Sequence, residues 1–224
     1  EAAPRSPAWL ADPARMYMLT PMGTDMRFTR RHWLTLTASA FVLPVFAGPA
    51  RAVDRGTAVA LVQQVTAEIT RIINAGQSES AVIRDFNRMM SRYADMPTIS
   101  QSVLGPPARS ASSSQLSAFA SAFQDYMARK YGRRFQEFVG GTVTVTGTQE
   151  TSRFVEVIST VTMRGQSPFE VRFRVWDRSG SPRFIDMVIE GISLVITERN
   201  EIGALLERRG GDINAMIGDL RNLG

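Results

Sequence analysis

Two carboxylates, Asp186 and Glu190, stand on one phase of the segment Arg183-Phe184-Ile185-Asp186-Met187-Val188-Ile189-Glu190-Gly191, and they are the pair in this chain best placed for acid–base work. On extended backbone an even spacing puts both on one face, where a cone-shaped pocket of the kind steroid isomerases use could hold them. The rest of the inventory closes most other routes. The chain has no cysteine and a single histidine, His32, so residues 53–224 can build neither a Cys–His or Ser–His–Asp nucleophile nor a zinc site of His and Cys. Gly140-Gly141 and Gly210-Gly211 lack the spacing and the lysine of a phosphate-cradling loop and read as helix stops. Asp186 and Glu190 also have a plainer reading, a solvated strand face cross-paired to Arg172 and Arg174. It is preferred here, because those arginines alternate with apolar residues on the preceding segment.

That segment, Phe169-Glu170-Val171-Arg172-Phe173-Arg174-Val175, is apolar at odd positions and charged at even ones, the pattern of a strand with one dry face. Asp177-Arg178-Ser179-Gly180-Ser181-Pro182 supplies turn chemistry, and the second arm puts Ile185, Met187 and Ile189 on one face. After Gly191 the period becomes helical, with Ser193 placed to cap a helix over 193–208. Upstream, Thr142–Thr146 and Phe154–Met163 alternate as well, the latter with Val155, Val157, Val161 and Met163 in phase. About four strands at short spacing predict an antiparallel meander.

The first half is helical. Ala58, Val62, Val65, Ile69, Ile72 and Ile73 form one amphipathic stripe ending at Gly76. Ser78 then caps a helix bearing Val82, Phe86, Met89, Met90 and Tyr93, which Pro97 halts. A short helix runs to Gly105. Ser112-Ser113-Ser114-Gln115 fits a capping box that opens a helix over 114–138, with the stripe Leu116, Phe119, Ala120, Phe123, Met127, Tyr131, Phe135 and Phe138. Asp212 caps a last helix carrying Ile213, Met216, Ile217 and Leu220. The fold class expected is α+β, a curved antiparallel sheet packed against several helices in one domain.

Charge and export signals set the setting. Of 26 basic and 21 acidic side chains, six and three fall in residues 1–52, so the remainder is nearly neutral with its charges interleaved, which argues against nucleic acid as partner. Residues 1–25 read as an unstructured leader from a start placed upstream of Met26. Residues 26–52 read as a signal peptide: Arg27, Arg30 and Arg31, an apolar Trp33–Ala47, then Ala50-Arg51-Ala52 with cleavage after Ala52. Thr29-Arg30-Arg31-His32-Trp33-Leu34 is similar to the twin-arginine pattern, with an ordinary Sec signal as the alternative.

Three runs carry a family resemblance. Val188-Ile189-Glu190-Gly191-Ile192-Ser193-Leu194 with Thr197-Glu198-Arg199, the run Arg92-Tyr93-Ala94-Asp95-Met96-Pro97 through Val103-Leu104-Gly105, and Phe119, Phe123 and Tyr126 with Tyr131, Phe135 and Phe138 resemble, in order, segments of the MlaC or toluene-tolerance family. The match spans roughly residues 57–222. These are periplasmic auxiliary components of ABC transporters that bind phospholipid, on a cone-shaped fold like that of NTF2. The resemblance implies a non-enzymatic monomer with no cofactor, carrying phospholipid as cargo, with acyl tails in a deep apolar pocket and the head group outside. It implies an inner-membrane ABC transporter complex with an MCE-domain protein and an outer-membrane lipoprotein complex as partners. A hopanoid-associated subfamily shares the motifs, so a hopanoid cargo is the alternative; a contact-only adaptor with a filled core is another. Methionines adapt to irregular apolar shapes such as acyl chains. The pocket walls expected from the apolar phases are Met90, Tyr93, Phe123, Met127, Val171, Phe173, Ile185 and Met187. Glu190, Gly191, Ser193 and Arg199 are expected to be structural or partner-facing, with the Glu190 carboxylate accepting from backbone amides or an arginine.

Overall fold

Helix caps written into the sequence set most boundaries. The computed structural model describes residues 53–223, the side chains of residues 135–137 excepted; the leader, export signal and cleavage site expected in residues 1–52 lie outside the described residues. Asp54 accepts from the Thr57 amide at 2.9 Å and starts α1 (Arg55–Asn74), which buries Ala58, Leu61, Val62, Val65 and Ile72. Ser78 stands at the N-cap of α2 (Glu79–Tyr93), but its hydroxyl turns to Ser80 at 3.2 Å instead of to an amide, so the expected cap bond is not made. Ala94 is extended, and Asp95 caps α3 (Met96–Leu104) with Pro97 in its first turn, where a missing N–H costs nothing.

Both limbs of the capping box at Ser112 and Gln115 are present, opening α4 (Ser113–Gly132). The α-helix is shorter than expected and tightens to a 3-10 helix over Arg133–Phe138. Its buried positions, Phe119, Ala122, Phe123, Tyr126, Ala128 and Gly132, make a wider arc than the single expected stripe. The cause is that α4 packs against α2 and α3 and also against the C-terminal helix α6 (Ile213–Leu220). At Gly132 an added Cβ would lie 3.2 Å from Ile83, so the missing side chain lets α2 approach.

The sheet is an antiparallel meander of β1 (Thr142–Glu150), β2 (Val155–Thr162), β3 (Phe169–Trp176), β4 (Arg183–Ile189) and a two-residue β5 (Ile192–Ser193), in that order. The fifth strand exceeds the four expected. It exists because Glu190 and Gly191, at φ 49 and 81, form a two-residue hairpin turn that folds Ile192 back beside Ile189. Irregularities between Val145 and Gly147 and between Arg174 and Val175 shift the registers. The second of these corrects the phase of β4: Phe184, not Ile185, pairs with Val175, and Ile185 falls at the slip.

The helix α5 (Leu194–Arg208) follows β5 directly. Among the helices, α1 lies along β1, β2 and β3, while α3 and α5 pack on each other and on β4. The α+β class is as expected, and α1 is the helix that spans the most strands of the sheet.

Candidate functional site

Cross-strand partners project to the same side of a sheet, so the registers define the rows of its inner face. From the Thr142 end, these are Val143, Val161 and Phe169; then Val145, Ser159, Val171 and Ile189; then Thr148, Val157, Phe173 and Met187; then Glu150, Val155, Val175 and Phe184. On β2 to β4 every member but Ser159 is apolar. Phe173 and Phe184 meet edge to face with centroids 6.4 Å apart. Ser159 is wholly buried, and among the described residues its hydroxyl has no hydrogen-bond partner. A half-open cleft of about 330 Å³, lined by Ile73, Asn74, Gly76, Gln77, Val82 and Val139, opens at the C-terminal end of α1. Val139, three residues before β1, is 53% exposed.

Of the expected wall residues, Val171, Phe173 and Met187 share this inner face. Met90 and Tyr93 are buried on α2. Phe123 is wholly buried within the helical layer, stacked on Phe119 at 5.6 Å and near Tyr126 at 6.1 Å, and Met127 is half-buried beside it. The inner face also takes in Val155, Val157, Val175 and Phe184, with the buried residues of α1 beside it, none of them among the expected walls. The phase of β2 and the stripe of α1 were both visible; what was not visible is that these two surfaces face each other.

The outer face carries the charges. Asp186 accepts from Arg174 Nη1 at 3.1 Å, from the Ser193 hydroxyl at 2.7 Å and from the Val195 amide at 3.1 Å. Glu156 accepts from Arg174 Nε at 2.9 Å, and Glu170 from Arg172 Nε at 2.6 Å. Asp186 is thus one rung of a charge ladder and an anchor for the α5 N-terminus. Glu190 is engaged elsewhere: its carboxylate accepts from the Glu170 amide at 2.5 Å, and its own amide donates to the Glu170 carbonyl at 3.0 Å. Left-handed backbone is costly for a side chain like Glu, and this bond offsets the cost. The two carboxylates do not share a site, and the backbone-amide role expected of Glu190 is observed.

The other motif residues are ties between layers. Asp95 accepts from the Thr98 amide at 3.2 Å and from the Trp176 indole at 3.1 Å, while its amide donates to the Phe184 carbonyl. Arg183 donates to the Ser91 and Arg92 carbonyls at the end of α2, at 2.8 and 2.7 Å. Arg199 Nε donates to the Ser102 carbonyl at 2.7 Å, its stem lying where a side chain at Gly105 would point. Ser193 accepts from the Ile196 amide at 3.2 Å, as its place before α5 predicts.

A buried polar cluster joins α4 to α5. Glu198, 1% exposed, accepts from Lys130 at 2.7 Å and from the Tyr131 hydroxyl at 2.6 Å; Glu201 accepts from Lys130 at 2.8 Å and from the Tyr126 hydroxyl at 2.9 Å. Burial first, and the nearby carboxylates second, push both tyrosine hydroxyls above their ordinary range. The unfolded chain ionises its tyrosines near pH ~10, whereas the folded one keeps these two neutral. Their contribution is therefore complete below about pH 10 and is lost above it. The unfolding midpoint should begin to fall near pH ~10 and go on falling as the pH rises, and the fall should be shallower in a Tyr126→Phe, Tyr131→Phe double variant, as thermal melts on either side of that pH would read.

Two comparisons bear on these features. A family profile described as MlaC protein matches residues 63–222. Among solved structures, the chain is similar to a phospholipid-binding protein from Ralstonia solanacearum in complex with a phospholipid, at 21% identity and a TM-score of 0.65, over 74% of this chain and 95% of that one. At that identity the likeness is one of fold.

Proposed function

The chain belongs to the MlaC family, and on that premise we propose that it is a phospholipid-binding carrier, not an enzyme, that holds acyl tails against the inner face of its sheet. The observation that carries this reading is the face itself: three rows of valine, phenylalanine, isoleucine and methionine on β2 to β4, broken by one serine, with α1 lying along β1 to β3. The phospholipid named for the Ralstonia relative agrees with it. The carboxylates that would otherwise suggest catalysis are committed to Arg174, to the α5 N-terminus and to a hairpin turn.

Magnitudes say why a carrier is needed. At ~0.8 kcal/mol per buried methylene, the roughly thirty methylenes of a diacyl lipid represent on the order of 20 kcal/mol of transfer free energy. Such a lipid does not cross water unaided. A bilayer offers the tails similar burial, so the carrier need only match it, and direction comes from partners. In our reading the mature protein works in the periplasm after cleavage behind Ala52, between an outer-membrane lipoprotein complex and an inner-membrane ABC transporter with an MCE-domain protein.

Mass spectrometry of an organic extract of the purified protein tests the core of the proposal. Phospholipid near one molecule per chain is expected. A hopanoid in its place would change the cargo, and a folded protein that neither retains nor takes up lipid would make it an adaptor.

A further inference from the structure

Ser159 is the one polar side chain on the inner rows of β2 to β4. Its neighbours in phase on β2 are Val155, Val157 and Val161, and its cross-strand partners are Val145 and Val171. It is 0% exposed and its hydroxyl has no partner among the described residues. A buried hydroxyl without a hydrogen bond is unfavourable, whereas an apolar side chain of similar size would fit such a row without that cost. Nothing within the strand ladder requires a hydroxyl there.

Its depth is informative. Ser159 lies three residues from Thr162, the end of β2, which is roughly 10 Å at the rise of a strand. That end of β2 pairs with Thr142, close in sequence to Val139 and the open cleft. In the other direction the two remaining rows, through Val157, Phe173 and Met187 and through Val155, Val175 and Phe184, hold only apolar groups on these strands. A diacyl lipid has the same sequence of chemistry along its length: a charged head, then ester carbonyls, then hydrocarbon alone.

We propose that the Ser159 hydroxyl donates a hydrogen bond to an ester carbonyl of the bound lipid, and so selects ester-linked glycerolipids over ether-linked or polycyclic hydrocarbon lipids. The inference rests on the carrier reading and deepens it. The serine is a specificity residue that sets the depth of the lipid, with the head group toward the Val139 end and the chains toward Phe184. No covalent step is involved.

The test compares two probes, dioleoyl phosphatidylglycerol and its dialkyl-ether counterpart with matched chains, on delipidated wild type, Ser159→Ala and Ser159→Cys. Wild type should bind the diester about three- to tenfold more tightly than the diether, the range one neutral hydrogen bond supplies. Both variants should bind the two lipids equally, at the wild-type diether affinity. The alanine variant should melt no lower than wild type when empty, since it loses an unpartnered group, and the cysteine variant, close in volume to serine, controls for packing. A wild type indifferent to the linkage, or a preference that survives in both variants, would overturn the assignment. Failure of wild type to bind either lipid would overturn the carrier reading itself, and this inference with it.

Discussion

Val171→Trp is expected to leave the protein without bound lipid while its unfolding midpoint stays where it was. Val171 is buried on the inner face, between Ser159 on β2 and Ile189 on β4. If acyl tails occupy the space over that row, an indole takes the place of a tail and gains the contacts the tail had made. In a core already filled by protein, the same change is overpacking and costs about 1–3 kcal/mol. Lipid content by mass spectrometry and the melting midpoint, read on one preparation, separate the two. Loss of lipid at constant midpoint supports the carrier, and a lowered midpoint in a protein that never held lipid removes the carrier reading at this site.

The largest effect on stability is expected at Glu198. Glu198→Ala leaves Lys130, 25% exposed, with Glu201 as its remaining carboxylate, and strips the Tyr131 hydroxyl of its acceptor. Removing one member of a buried pair costs about 3–5 kcal/mol, mostly because the partner stays behind uncompensated. For a domain of this size that is a fall in midpoint on the order of 10 °C. Glu198→Gln should lose less, since its amide oxygen still accepts from Tyr131 while the charge on Lys130 goes partly unanswered. The cluster joins α4 to α5, and the helix that lies along β1 to β3 is α1, so lipid content below the melt should be unchanged in both. Denaturant titrations give the stabilities; a loss under about 1 kcal/mol for the alanine variant would mean that Glu201 and water suffice for Lys130.

What could be read from the sequence followed the range of the interactions involved. The capping box at Ser112 and the caps at Ser193 and Asp212 are bonds within a few residues, and the structure makes them, whereas the Ser78 hydroxyl turns to Ser80 instead of capping. Alternation in Phe169–Val175 gave the dry face of β3 because burial there depends on one repeat only. At Ile185 the structure departs from the alternation of β4, since a register slip is a property of two paired strands and leaves no mark on either alone. The buried arc of α4 is wider than its sequence stripe because a single stripe describes a helix with one neighbour, and this one has helices on more than one side. Glu190 was placed correctly for a local reason, its position just before Gly191 at the end of a strand. Asp95 and Trp176, or Arg199 and Ser102, are far apart in sequence, and only the folded chain shows that Asp95 and Arg199 reach these partners.

The position of α1 over the sheet also governs how the chain reaches this structure. Among the described residues, α1 is the first helix to leave the ribosome, yet the strands it covers begin roughly 70 residues later, and non-local docking of that kind slows folding relative to helix pairs joined by short turns. Until β1, β2 and β3 have been made and paired, the face bearing Leu61, Val62, Val65 and Ile72 has no sheet to bury it. A nascent or refolding chain therefore displays part of an apolar helix until those strands have been made and paired, and in that interval it is exposed to self-association and in need of a chaperone.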